Sequence, residues 1–371
     1  MNSGLITTTS ATAANDNATA TPGPSESLLL LPVLMLSPIG TSSSAATQFA
    51  AFSAIFAAYA AATAGNALLV AVIARDRGLR CRPMYALIGA LALTDVAAAS
   101  AVLPRLLANV AAGGGFVSLA ECVAQMAFIH LSIRTQGYVL ALMAVDRYAA
   151  VVHPLRYGAL VSVRGALAST AAAALASAAM VAANVATVAR LGYRCRGGNG
   201  SGVAALVIRA PFCDFMSIAS MSCGSENLGA HAAMSYAITA LTVVLPALAI
   251  AAAYALVFVE CRRPGLRGTG IGKAVRTCGT HLIVVAIFYA AILLSLANSV
   301  AFGASAQGAR SVVQAFLCTA PFVLNPVVYG VRMERIKRGA LRLCGARVGP
   351  HRHTAPAASR GPGEREEVTR D

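Results

Sequence analysis

Tryptophan is absent from the 371 residues, aromatic residues of all kinds reach only 6%, and charged residues only 12%. So little charge excludes a water-soluble domain for most of the chain, because a solvated surface needs more polar side chains than these. With 57% hydrophobic residues and a mean hydropathy of +0.69, the bilayer is the expected solvent. The missing tryptophan removes much of the aromatic belt that marks membrane interfaces, so span edges are read from charge, to within a few residues. Acidic residues are also scarce, 14 against 29 Lys and Arg, which leaves a net charge of +15. The arginines lie between apolar stretches rather than in one basic patch, and this argues against nucleic acid as a partner. No HExxH zinc motif, no phosphate-cradling glycine loop and no Ser/His/Asp set across adjacent spans is found, so neither an enzyme nor a cofactor is expected. Broken helices in two matching halves, which a transporter would more often show, are not visible either.

Residues 1–27 are rich in Ser, Thr, Ala, Asn, Gly and Pro and carry no basic residue. Such a composition buries too little apolar surface to order itself. The run Leu28 to Leu36 is apolar, but it is too short to span and ends at Ser37-Pro38. Without a basic segment before it, it reads as part of a flexible tail, 1–46, rather than as a signal peptide. From residue 47 onward, apolar stretches of 20 or more residues recur, each long enough to cross about 30 Å of hydrocarbon. Seven are expected, near 47–74, 83–111, 117–149, 164–189, 232–259, 274–302 and 311–331. Nothing charged lies between Arg164 and Arg190, His231 and Glu260, or Arg310 and Arg332. The fold class is therefore an all-α membrane protein, a seven-helix bundle over 47–332. The segment 333–345, with Ile336, Leu341 and Leu343 among basic residues, suits a short amphipathic helix along the inner leaflet, before a disordered tail, 346–371.

Basic residues set the orientation. Arg75, Arg77, Arg80, Arg82, Arg147, Arg156, Arg164, Arg262, Arg263, Arg267, Lys273 and Arg276 all fall on the side of the C-terminus. The positive-inside rule then places the N-terminus outside and the C-terminus in the cytoplasm, in a multi-pass plasma-membrane protein. Cys122, Cys195, Cys213 and Cys223 fall on the outer side, where an even number of cysteines suggests two disulfides of open connectivity. Asn17 and Asn199 head glycosylation sequons on that side, and Cys344 is a juxtamembrane candidate for palmitate.

The third span ends in MAVDRY, Met143 to Tyr148, followed by HPLRY to Tyr157, and the seventh reads PFVLNPVVYGVR from Pro321 to Arg332. PMY at Pro83 to Tyr85, LALTD at Leu91 to Asp95, KAVRTCGTHL at Lys273 to Leu282, the pair Phe288-Tyr289 and PFCD at Pro211 to Asp214 follow in register. In these motifs the chain resembles the rhodopsin-like G-protein-coupled receptors, and among them the vertebrate odorant receptors. The resemblance covers about residues 47 to 345. The runner-up is a non-olfactory rhodopsin-like receptor for another small molecule or a peptide.

Several roles follow from that resemblance. Asp146, Arg147 and Tyr148, with Asn325, Pro326 and Tyr329, are the implied switch, Arg147 being released to meet a heterotrimeric G protein of the stimulatory, olfactory type. Asp95 is the implied sodium-site carboxylate, although Gln136 stands where the odorant pattern has Glu. Cys122 is the implied partner of Cys213, and Cys195 that of Cys223. Ile129, His130, Ile133, Thr242, Tyr289 and Ile292 are the implied neighbours of a small odorant. Two readings come from the residues themselves. Asn66, Asp95 and Asn325 are polar groups inside apolar helices, either a buried switch or a static network. Arg134, about 20 Å along the helix from Arg147, sits near mid-membrane, where it either meets a polar ligand or pairs within the bundle.

Overall fold

A computed structural model describes residues 31–36, 44–193, 206–208, 210–222, 228–262, 270–301 and 307–345. Among the described residues, seven helices are long and apolar enough to cross a membrane: Ala45–Arg75, Pro83–Ala112, Leu119–Val152, Val163–Arg190, Ala232–Cys261, Cys278–Asn298 and Gly308–Arg332. They coincide with the seven stretches expected from charge. In order they are α1 (Ala45–Arg75), α3 (Pro83–Ala112), α4 (Leu119–Val152), α6 (Val163–Arg190), α8 with α9 (Leu228–Thr239 and Leu245–Cys261), α10 (Gly270–Ala301) and α11 (Gln307–Arg332), with the short α2 (Arg77–Arg80), α5 (Tyr157–Leu160) and α7 (Phe215–Ala219) between them. Local chemistry starts and stops them. Ser44 caps the first span by accepting from the Thr47 N–H, Pro83 opens the second, and Ser118 and Glu121 form a reciprocal capping box on the third. Gly113 ends the second with φ +69°, a conformation that a side chain would strain. Phe49, Leu93, Phe128, Leu175, Leu248, Leu293 and Phe316 point outward as an apolar belt, as hydrocarbon surroundings require.

The third span is the axis of the bundle, packing against the second, fourth, fifth and sixth, while the seventh closes back on the first and second. Proline shapes two spans. Pro246 has no N–H for the Thr242 carbonyl, and just before it the fifth span widens into a π-helical turn, Ala240–Val244. Carbonyls of that turn accept from neighbouring spans: Leu241 from Tyr138 (3.3 Å) and Val243 from Tyr289 (3.2 Å). Gly137 lets the third span come close there, since a Cβ would stand 3.1 Å from the Thr242 carbonyl. In the seventh span Pro326 leaves the Phe322 carbonyl without a helical donor, and the Asn66 amide of the first span supplies one at 2.9 Å. Gly65 makes room for this, because a Cβ there would meet the Pro326 ring at 3.0 Å.

One expectation is corrected. Within the segment read as a flexible tail, Pro32–Leu36 forms a strand, β1, and the first span starts at Ala45. β1 pairs antiparallel with β2 (Gly114–Ser118) and parallel with β3 (Leu206–Ile208), making a three-stranded sheet in the order β2-β1-β3. Val33 and Met35 are fully buried against Cys122, Cys213 and Ile218. At the other end of the bundle, α12 (Glu334–Leu343) is the expected amphipathic helix. It tucks Ile336 inward and lies so close to the first span that a Cβ on Gly339 would meet Val72 at 2.5 Å.

Candidate functional site

A cavity of about 750 Å³ opens between the third, sixth and seventh spans beneath the sheet. That volume suits a small organic ligand. Ile129, His130, Ile133 and Gln136 line it from the third span, Phe288 and Ile292 from the sixth, Cys318 and Phe322 from the seventh, and Val207 and Ile208 from β3. Asp214, Ser217 and Arg310 add polar groups to its wall. The Asp214 carboxylate is already engaged, capping a short helix through the Ser217 N–H (2.9 Å) and hydroxyl (2.6 Å). His130 Nδ1 meets no partner among the described residues. Four of the expected ligand neighbours, Ile129, His130, Ile133 and Ile292, thus border one cavity, together with Gln136 of the polar core. Arg134, Thr242 and Tyr289 are not among the lining residues. Thr242 and Tyr289 belong to the π-helical turn and its bonds, and Arg134 is buried with Nη1 unpartnered among the described residues.

Gln136 joins the cavity to the polar core. Its Nε2 donates to Asp95 Oδ1 at 2.9 Å, and Asn325 Nδ2 donates to Asp95 Oδ2, also at 2.9 Å. Asp95, Gln136 and Asn66 are almost wholly buried, where unpaired polar groups are costly. The second, third and seventh spans are therefore tied at one carboxylate. The sodium ion that the resemblance implied would meet one carboxylate here rather than two, since Gln136 stands in place of the second. A hard cation takes oxygen ligands, and each Asp95 oxygen keeps a lone pair beyond the amide N–H it accepts, while Asn66 Oδ1 and Asn325 Oδ1 meet no partner among the described residues.

The far end holds the expected charge pair. Arg147 donates through Nε (3.1 Å) and Nη2 (2.5 Å) to Asp146 Oδ2. The other oxygen, Oδ1, accepts from the Tyr157 hydroxyl at 2.6 Å. Burial, then that hydrogen bond to Asp146, pushes the Tyr157 phenol above its ordinary value, so it stays a donor throughout the physiological range. Tyr157 lies in α5 (Tyr157–Leu160), the turn after the third span, and its motif was legible although this role was not. Tyr254 and His281 bond across the fifth and sixth spans nearby. Tyr148 packs edge-on against His153, while Tyr329 is buried with its hydroxyl unpartnered among the described residues.

Cys122 and Cys213 form the expected disulfide, with Cα atoms 5.4 Å apart, fastening the third span to the segment over the cavity. Gln125 strengthens the junction by accepting from the Cys213 N–H at 2.9 Å. Cys344 is exposed at the end of α12 with a free thiol. Asn17, Asn199, Cys195 and Cys223 lie outside the described residues.

Comparison with known proteins gives a consistent result. Residues 55–345 match the family model described as olfactory receptor. Human olfactory receptor 2M3 is 28% identical over 79% of this chain and 89% of its own length. Human olfactory receptor 1L6 is 28% identical over 82% of this chain and 84% of its own, and human olfactory receptor 5K4 is 30% identical over 78% and 83%.

Proposed function

Given that the chain belongs to the olfactory receptor family, a family of G-protein-coupled receptors and not of enzymes, we propose that it detects a small odorant in the 750 Å³ cavity and activates a stimulatory G protein, raising cyclic AMP. The observation that carries this reading is the double position of Gln136, in the cavity wall and on Asp95. A ligand that displaces Gln136 disturbs the carboxylate to which Asn325 of the seventh span is bonded. Asn325 precedes Pro326, where the helical ladder is already interrupted, so the helix yields there at least cost. Beyond that hinge lies Tyr329, and across from it the Asp146–Arg147 pair. Opening of that end frees Arg147 for the G protein.

The disulfide end is assigned to the outside and the Asp146 end to the cytoplasm, in keeping with the basic residues of the inner loops. Cys195 with Cys223 as a second bridge, glycans on Asn17 and Asn199, palmitate on Cys344 and α12 resting on membrane lipid complete the reading. Mostly apolar lining residues favour ligands held by dispersion and shape, with modest affinity and broad range.

The test is cyclic AMP in cells expressing the chain, challenged with carboxylates, amines, amino acids and neutral volatiles, beside an Arg147→Ala control. A ligand-dependent rise that vanishes in the control is expected. Silence across the panel from receptor shown to be at the surface overturns the odorant assignment.

A further inference from the structure

From the way β1 is built into the bundle, we infer that the N-terminal strand Pro32–Leu36 completes the ligand site, with Val33 and Met35 as positioning residues that hold β3 as the cavity's roof and make the strand its gate. This deepens the function proposed above and rests on it for the cavity being the ligand's. The register carries the argument: Val33 faces Leu206, Leu34 faces Val207 and Met35 faces Ile208. Val207 and Ile208 line the cavity beside Phe212, Met216 and Ser220 of the same loop, so β3 is the part of the roof that β1 supports. On its other side β1 pairs along its whole length with β2, from Pro32 with Ser118 to Leu36 with Gly114. β1 is therefore the central strand, and among the described residues β2 and β3 meet only through it.

β3 is described over Leu206–Ile208 and has β1 as its only strand neighbour among the described residues. A segment that short gains too little to stay extended without a paired strand. Side chains add to the backbone pairing. Val33 and Met35 have no exposed surface, and Met35 Sδ lies 3.8 Å from Asn109 Nδ2 of the second span and 4.0 Å from Cys213 Sγ. The strand is thus keyed onto the disulfide as well as onto the roof. Unzipping β1 releases β3 while Cys213 stays fastened, which opens the mouth of the cavity without dismantling the bundle. Which apolar ligands enter, and how long they stay, is then set partly by a segment outside the seven helices.

Cys318 supplies a test that needs no known ligand. Its thiol is free and lines the cavity, whereas the other free cysteines among the described residues, Cys81, Cys261, Cys278 and Cys344, are at the Asp146 end. Intact cells expressing the full chain are treated with a charged, membrane-impermeant methanethiosulfonate reagent, with Cys318→Ala defining the background. Slow labelling of Cys318 is expected, rising about tenfold or more in Leu34→Pro and in a chain lacking residues 1–36, because local opening then costs little. An unchanged rate in either variant at the cell surface overturns the proposal. So does the absence of Cys318 labelling from all of them. Should neither variant reach the surface, the facing pair Leu34→Cys and Phe116→Cys decides: a disulfide between them is expected to slow labelling, and an unchanged rate overturns the gate. A receptor that is silent for cyclic AMP yet labelled as expected would sink the odorant reading and leave the gate standing.

Discussion

At the scale of single residues, the amide of Gln136 separates this chain from the acidic pattern it otherwise resembles. Asp95 accepts one amide hydrogen on each oxygen, so its charge is already shared with two donors, and no second carboxylate is there to help hold a cation. Agonist potency is therefore expected to be unchanged, within about twofold, when sodium is replaced by choline, because a single carboxylate so engaged should hold the ion only weakly. In Gln136→Glu, a second carboxylate faces the first. Two like charges at that distance need a cation or a shared proton, so sodium should then lower agonist potency. A sodium effect of equal size in both proteins would refute the distinction. Tyr157 is the second telling residue. A hydrogen bond to a charged group contributes about 1.5–3 kcal/mol, and Tyr157→Phe removes one from Asp146 while leaving the ring. The resting pair is weakened, and basal cyclic AMP at matched surface expression should rise several-fold. Basal activity equal to that of the unaltered receptor would show that Tyr157 contributes nothing to the resting state.

At the scale of elements, the first and seventh spans are fitted to each other at one proline. Pro326 frees a carbonyl, Asn66 satisfies it, and Gly65 gives the ring its place. Gly65→Val would drive a branched side chain into a rigid ring at 3.0 Å, and overpacking of this kind costs about 1–3 kcal/mol. The thermal midpoint in detergent should fall by several degrees, while Val70→Ala, on the same helix away from the ring, should change it little. Equal midpoints for Gly65→Val and the unaltered receptor would mean that the spans part easily here. The fifth span makes the same point differently. Its π-helical turn presents carbonyls to Tyr138 and Tyr289, so Tyr289, expected beside a ligand, braces the fifth span against the sixth.

At the scale of the whole molecule, what the sequence disclosed depended on how local the cause was. Long uncharged gaps such as 165–189 placed the spans, because a bilayer sets their length directly. Motif order placed the Asp146–Arg147 pair and the Cys122–Cys213 bridge. The strand at Pro32–Leu36 stayed hidden, since its partners lie far along the chain, the nearest being Gly114 for Leu36, and five apolar residues carry no period of their own. Gly65 was hidden for a related reason: the missing N–H of Pro326 is visible in sequence, but the helix that compensates for it is not. Arg134, conspicuous as a charge, is not among the residues lining the 750 Å³ cavity, because a rotation of about 100° per residue decides which face a helical side chain takes. The burial of Met35 also gives the molecule a spectroscopic handle. A receptor labelled on the methyl groups of its ten methionines carries one whose sulfur rests against a disulfide sulfur, so the chemical shift of that methyl reports the state of the N-terminal strand in real time.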